Sequence, residues 1–325
     1  MKVITYGTHG SIAVGFPNGE EGLHTKFGVN TTCLRIKSDC IPKGWAFAID
    51  GGSGLLPLCR DLDKEEIEQL AIAFTHYHDD HTTGVPMSPF VHRKGGKIRM
   101  WGPDENGVGP EQILRRIFCP PRFPVPFAKV RHRFECKTFK EIGTQVLVIH
   151  PKAGFHLMPI DIYRRCEQEG KQISFRAGKY GIEECLVVFM YRTKHPEQTV
   201  SYRFEEKPTG RIFVFLTDHE VTESFSQEML AHVKGAHLLI QDGQYSEEQY
   251  HTWAADFGHG TPQYCAKTMV AAGAERLGIT HHHPGSSDAD IMQRVIEATH
   301  QVNKMRRKDL GHNIFACADF QEHVV

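Results

Sequence analysis

The 325-residue sequence has little net charge: 38 Lys and Arg stand against 39 Asp and Glu, a formal balance of −1. That near-neutrality excludes a general field for gripping a long polyanion, so extended nucleic-acid binding is not expected. Long hydrophobic runs are also missing. No stretch reaches the ~18 apolar residues of a membrane-spanning helix, and the start, "MKVITYGTHGSIAVG", is broken by Gly, His and Ser, unlike a signal peptide. Fixed-period repeats and low-complexity tracts are absent, and no linker divides the chain. Cysteine is present at nine positions, yet C-x-x-C is not, and the odd count excludes a simple disulfide framework or a structural zinc knuckle. The expectation is a soluble chain with no membrane partner and reduced, packed thiols, as in a cytoplasm.

What the chain does contain is short β-rich runs: 2–6, 31–36, 45–50, 70–76, 97–102, 144–150, 185–192, 200–204, 211–218, 236–242 and 276–280. Helical patterns over 62–70, 110–118, 223–233, 262–275 and 288–308 separate many of them. Near-continuous apolar strands mixed with helices predict a layered α/β architecture with covered sheets. We read residues 1–325 as one domain, with 85–185 long enough to hold a cap or a dimer contact. The Pro-rich "CPPRFPVPF" (119–127) reads as an ordered lid or edge loop, and Phe118, Phe123 and Phe127 are candidate stacking groups, with ordinary packing the commoner fate of each.

The strongest chemical signal is "FTHYHDDHTTG" (74–84), which reads H-x-H-x-D-H from His76. Leu70, Ile72 and Phe74 share parity with His76 and His78, so a continued strand presents both rings from one face. Asp80 and His81 follow where the chain turns and can face a second ion. Four imidazole and carboxylate donors in six residues favour zinc, with manganese or iron compatible with the same donors. Asp218 ends a strand in parity with Ile212, Val214 and Leu216, and a buried carboxylate there needs compensating charge; the alternative is a helix cap in "TDHEVTESF". In "GITHHHPGSSD" (278–288), Leu277, Ile279 and His281 share one face, whereas His282 points away and His283 lies beyond the strand end. His282 and His283 are pocket candidates or solvent-facing turn residues. The early "GTHGS" loop offers His9 and Ser11 as substrate-binding candidates, Asn30, Thr31 and Thr32 shape the same end of the sheet, and Asp50 in "IDGG" could support a ligand histidine from behind.

Taken in order, "YGTHGSIAVG", "FGVNTTCLRI", "AIDGGSGL", "THYHDDHTTG", "PPRFPV", "KHPEQTVSYRFE", "FVFLTDHE", "LLIQDGQYSEEQY", "FGHGT" and "ITHHHPGSSD" resemble the metallo-β-lactamase-fold hydrolases, in particular their phosphodiesterase branch. That branch holds ribonuclease Z, bacterial cyclic-nucleotide phosphodiesterases and relatives of the PQQ-biosynthesis protein PqqB. The resemblance implies a four-layer αββα sandwich with a dinuclear site at the strand ends. It implies that His76, His78 and His195 bind one ion, that Asp80, His81 and His281 bind the other, and that Asp218 bridges them. His195 is preferred over His150 because its strand-turn-strand connection to Asp218 matches the family, and His281 lies three residues before Pro284, as the family's last ligand does. It further implies Asp80, Asp242 and His259 as catalytic residues, with Asp242 orienting His259 and His259 protonating the leaving alkoxide. Two divalent ions, zinc foremost, would polarise a phosphoryl oxygen and share a hydroxide.

A protruding Gly/Pro-rich tRNA arm has no convincing equivalent, and the basic pieces 131–137 and 304–308 are short, the latter read as a solvated helix end. The expected substrate is therefore a small cyclic phosphodiester, a 3′,5′-cyclic nucleotide first. The alternatives are a ribonuclease Z-like RNA 3′-processing endonuclease, a thioester or lactam hydrolase on the same fold, and a noncatalytic PqqB-like binding protein. The resemblance also implies a homodimer.

Overall fold

A computed structural model describes residues 1–14, 26–93, 95–306 and 313–325. Gly15 of the first quoted motif, and Arg307 and Lys308 at the expected end of the last helix, lie outside them.

Six strands come first in chain order: β1 (Lys2–Gly7), β2 (Cys33–Lys37), β3 (Trp45–Ile49), β4 (Gln69–Ala73), β5 (Lys97–Pro103) and β6 (Phe134–Phe139). β7 (Gln145–His150) and β8 (Gly154–Pro159) follow, then a small hairpin of β9 (Ile173–Phe175) and β10 (Gly178–Tyr180). The remainder are β11 (Leu186–Arg192), β12 (Val200–Glu206), β13 (Arg211–Leu216), β14 (Leu238–Asp242), β15 (Arg276–Thr280), β16 (Ile314–Ala316) and β17 (Gln321–Val324). One sheet has the order β17-β1-β2-β3-β4-β5-β6 and the other β16-β15-β14-β13-β12-β11-β7-β8. Both are part antiparallel and part parallel. In the first, β3 to β6 run parallel; in the second, β13 to β16 do.

Strand alternation divides the apolar residues between two layers. Val3, Leu34, Phe47, Ile49, Ala71 and Trp101 of the first sheet meet Ile149, Val188, Tyr202, Phe204, Phe213, Phe215 and Ile240 of the second in a central core. The other face of the first sheet, with Ala48, Leu70, Ile72 and Met100, is covered by helices contributing Leu55, Leu58, Leu62, Phe90 and Leu114. Val214, Leu216, Leu239, Leu277 and Ile279 on the outer face of the second sheet pack under the helices Gln227–Val233, Pro262–Ala272 and Asp288–Arg306. The result is the expected helix-sheet-sheet-helix order.

Local chemistry explains where the covering helices begin. Thr261 caps the helix Pro262–Ala272 by accepting from the Tyr264 amide at 3.3 Å, Pro262 needs no amide partner at the first position, and Gly273 ends it in the left-handed region (φ 64°). Ser226 caps Gln227–Val233, so Asp218 is not a helix cap. The pattern read as a helix over 62–70 belongs instead to Leu55–Lys64, and the polar stretch after it leads into β4. Residues 85–185 supply β5 to β8 to the two sheets, together with the helices Pro110–Ile117 and Ile160–Gln168. Phe118 and Phe127 are buried under the first sheet's outer helices, with Phe123 packed against them, so these rings are core and not a stacking surface. The Pro-rich loop does touch the H-x-H-x-D-H segment, through Arg122 Nη2 and Asp79 Oδ1 at 2.8 Å.

Candidate metal centre

The parallel strands of both sheets end at one place, and the loops that leave them carry the polar residues singled out in the sequence. Such carboxyl ends are where open α/β sheets place ligands. β4 stops at Ala73, so the alternation does not run on through His76 and His78. Leu70, Ile72 and Phe74 face the outer helices, and the histidines reach the site because the loop turns inward before the short helix Asp79–Thr82. The same correction holds for Asp218 and His281: Val214, Leu216, Leu277 and Ile279 face the helices, and each strand ends before its polar residue. His281 takes φ 60°, a left-handed turn that redirects its ring; Asp50, after β3, also has φ 60°. For non-glycine residues this conformation costs on the order of 1–3 kcal/mol and persists where the surroundings enforce it.

Three overlapping donor groups result, one of them made of Asp218, Asp242, His259 and His281. Ligating atoms of His76, His78, His195 and Asp218 lie within 4.8 Å of one another, as do those of Asp80, His81 and His281. Asp218 stands between them. Its Oδ2 is 3.5 Å from His76 Nε2 and 3.5 Å from His81 Nε2, and its Oδ1 is 3.4 Å from His281 Nε2. His76 Nε2 and His78 Nδ1 are 2.9 Å apart, and His281 Nε2 is 3.1 Å from Asp80 Oδ2.

Partners behind each ring fix which nitrogen faces inward. His81 Nδ1 meets Asp50 Oδ2 at 2.8 Å, and that buried carboxylate also accepts the Thr75 amide (2.7 Å) and hydroxyl (2.8 Å). His195 Nδ1 donates to Gly258 O at 2.9 Å, and His281 Nδ1 donates to Gln244 Oε1 at 2.8 Å. In all three the Nε2 lone pair is left for the centre, the outer-partner arrangement usual for metal-bound histidines. Gly10 and Gly258 permit this packing: a Cβ at Gly10 would overlap the His281 ring, and one at Gly258 (φ 93°) would overlap His195.

The electrostatics ask for a cation. Burial pushes the His76 imidazole well below its ordinary pKa, and positive charge on His81 adds to this. For Asp218 burial acts upward, but His281, His81 and His76 together hold its carboxyl well below the usual carboxylate range. His81 is the reverse: burial acts downward, and the carboxylates of Asp80, Asp218 and Asp50 raise it well above its ordinary value. Moreover, Asp218 Oδ2 and His195 Nε2 are buried without a hydrogen bond. Unsatisfied buried groups of this kind cost about 1–3 kcal/mol each, and a divalent ion between imidazole nitrogens and carboxylate oxygens removes the deficit. The residues therefore fit divalent metal.

Beside this centre, His259 Nδ1 is 3.0 Å from Asp242 Oδ2 and 3.9 Å from Asp218 Oδ2. Asp242 is fixed by the amides of Gln244 (2.9 Å) and Gly260 (3.1 Å). Burial lowers the proton affinity of His259, but Asp242, then Asp218 and Asp80, lift its pKa to about 9.

Other expected residues fall differently. Ser11 lies exposed at the rim, its amide donating to Asp80 Oδ2 at 2.7 Å. His9 is buried with its ring 5.4 Å from that of His282, a position with no solvent-facing surface for substrate. His282 is neither pocket nor turn surface: it is fully buried, and its Nε2 donates to Cys317 O at 2.8 Å. His283 is partly exposed beside Tyr245 and Trp253. His150 caps the β7–β8 turn by accepting the Lys152 and Ala153 amides at 3.2 Å and joins no donor group among the described residues. Sequence reasoning missed Gln244, the Gly258 carbonyl and Glu197, whose Oε2 is 3.2 Å from His78 Nε2 and 3.5 Å from His195 Nε2. Only Glu197 had a readable signal, an acid two residues after a ligand candidate.

Two mixed sheets back to back, with a histidine-aspartate cluster at the ends of their parallel strands, define a metal-dependent hydrolase of the metallo-β-lactamase fold. Residues 39–282 match the family model described as Beta-lactamase superfamily domain, and the chain belongs to that family. The ribonuclease Z of Prochlorococcus marinus (strain MIT 9515) is 24% identical over 284 residues, 81% of this chain and 86% of that one. Among solved structures, unliganded yeast PDE1 superposes with a TM-score of 0.59 at 16% identity, over 100% of this chain and 99% of its own. Human tRNase Z, short form, gives 0.56 at 17% identity, over 100% and 99%. These superpositions establish a common fold.

Proposed function

We propose that the protein is a phosphodiesterase working with two divalent ions, zinc foremost, on a small cyclic phosphodiester, a 3′,5′-cyclic nucleotide in the first place. The observation that carries the reading is the His259–Asp242 pair at 3.0 Å, set 3.9 Å from Asp218 at the edge of the donor cluster. Hydrolysis of a phosphodiester leaves an alkoxide that needs a proton, and an imidazolium set beside the phosphoryl position can give it.

His76, His78 and His195 would hold one ion, Asp80, His81 and His281 the other, with Asp218 shared. Bound there, such ions supply Lewis acidity to a phosphoryl oxygen and make water a stronger acid. The chain's own residues do the rest. Asp50, Gln244 and the Gly258 carbonyl keep their histidines in one tautomer and orientation. Asp242 holds His259 through Nδ1, so that Nε2–H serves as the proton donor to the departing oxygen. Asp80, bonded to the Ser11 amide, orients that rim loop towards the centre.

A ribonuclease Z-like activity on RNA 3′ ends is the second reading, favoured by the match to the Prochlorococcus ribonuclease Z over most of both chains. Metal quantification on protein purified without chelator, followed by turnover of purine and pyrimidine cyclic nucleotides, precursor tRNA, a thioester and a β-lactam, separates the readings. About two equivalents of metal with cyclic-nucleotide turnover is the expected result. Cleavage of precursor tRNA with no cyclic-nucleotide turnover would replace the first reading by the second. All nine cysteines are free, which supports a reducing compartment, the cytoplasm in this reading. Among the described residues no helix is long and apolar enough to cross a membrane. A homodimer is proposed as the working form, to be checked by light scattering.

A further inference from the structure

Trp253 and Phe257 are 48% and 53% exposed, although both sit on a segment that is tied down beside the metal centre. Their mounting is built. Ser246 and Gln249 form a reciprocal cap at 3.1 and 3.0 Å, the Ala255 amide closes on Tyr250 O at 3.0 Å, and Glu220 takes both the Tyr250 hydroxyl and the Gly258 amide. Large apolar rings held at a surface in this way mark a contact made with something else.

The rings lead inward as a ladder. Phe257 lies 6.2 Å from Trp253, Trp253 5.1 Å from Tyr245, and Tyr245 5.7 Å from His259, centroid to centroid. His283 flanks it, 5.6 Å from Tyr245 and 6.1 Å from Trp253. The three successive angles are 65°, 76° and 71°, so the rings meet edge to face. The ladder is also joined to the centre by one side chain: Gln244 donates to the Tyr245 hydroxyl at 3.2 Å while its oxygen accepts from His281 at 2.8 Å.

We propose that Trp253 and Phe257 form a stacking platform for the nucleobase of the substrate and determine specificity for base-bearing phosphodiesters. This rests on the phosphodiesterase reading above. The polarity matches a nucleotide: the anionic phosphodiester goes to the cationic centre, and a neutral planar base goes to uncharged π-faces two ring contacts away. Stacking is tolerant of base identity, so the platform selects for a base over none, and not for one base over another.

The test compares adenosine 5′-monophosphate with ribose 5-phosphate by titration calorimetry on the metal-loaded protein. Wild type is expected to prefer the base-bearing ligand, and Trp253→Ala to shrink the ratio of the two affinities by roughly fivefold or more, as loss of one stacked ring implies. Trp253→Phe should keep most of the preference. Fluorescence gives a reading independent of turnover: of the three tryptophans, Trp101 is buried and Trp45 packs on Phe155 at 5.0 Å, so quenching by adenosine 5′-monophosphate should vanish in Trp253→Phe. Equal affinity of wild type for the two ligands, or an unchanged ratio in both Trp253→Ala and Phe257→Ala, would overturn the platform. If the ratio shrinks but wild type turns over no cyclic nucleotide, the platform stands and the substrate reading falls. Cyclic-nucleotide turnover with an unchanged ratio has the opposite meaning: the substrate reading stands and the platform falls.

Discussion

Asp218 and His259 lie 3.9 Å apart, yet their environments give them separable duties. The carboxylate touches His76, His81 and His281, whereas the imidazole is hydrogen-bonded to Asp242. Asp218→Ala should therefore lower metal content, measured by elemental analysis, together with activity. His259→Ala should retain its metal and lose about a hundredfold or more in kcat, as removal of a general acid does; full turnover in that variant would remove His259 from the mechanism. The raised pKa of about 9 gives the sign of the pH effect. His259 donates only while protonated, so kcat should fall as pH rises. The limb should lie at or below about 9, because bound cations oppose the proton, and a kcat profile of His259→Ala should no longer show it.

At the scale of elements, the loops do what the strands do not. The H-x-H-x-D-H segment, Asp218 and His281 were legible because their residue types and order are chemically loaded. Strand parity does not place them: β4, β13 and β15 end early, and the alternation ahead of each points to the outer helices. Gln244 and the Gly258 carbonyl left no trace, since a neutral amide and a main-chain oxygen look alike wherever they occur. β16 was missed because three residues, Ile-Phe-Ala, are too few to show an alternation, and β17 because "QEHV" is largely polar, the pairing of each being set by neighbours far along the chain. Glu220 offers a test of one such element. Glu220→Gln keeps the shape but can accept only one of the two bonds from Tyr250 and Gly258. A lost charge-assisted bond of about 1.5–3 kcal/mol should speed hydrogen exchange at Gly258 and its neighbours by roughly tenfold or more, with protection elsewhere unchanged.

For the whole molecule, buried histidines set the response to acid. Burial holds His232 at about 3 and His219 and His323 at about 4, each below the ordinary value near ~6.5. The unfolded chain then binds more protons than the native one between those limits, so stability is lost as pH falls below about 6.5. For His232 alone the loss at pH 5 is about 2 kcal/mol. His232→Gln, whose amide can still donate to Ser201, should narrow the gap in Tm between pH 7 and pH 5 in thermal melts; an unchanged gap would assign the acid response elsewhere. The layered fold itself was readable from sequence because covered sheets demand apolar strands, whatever the loops contain.

The proposed ligand set spans both sheets. His76, His78, Asp80 and His81 follow β4, whereas His195, Asp218 and His281 leave the opposite sheet. Ions held among them would act as stitches across a seam that is otherwise closed by apolar contact and by the two crossing chain paths. Chelation should lower the stability of the whole fold, because ligands that bind only the native state add stability by mass action. A chelated sample should then be nicked by protease faster and melt at lower temperature, and zinc should reverse both. An enzyme so built reports the supply of its metal through its own lifetime.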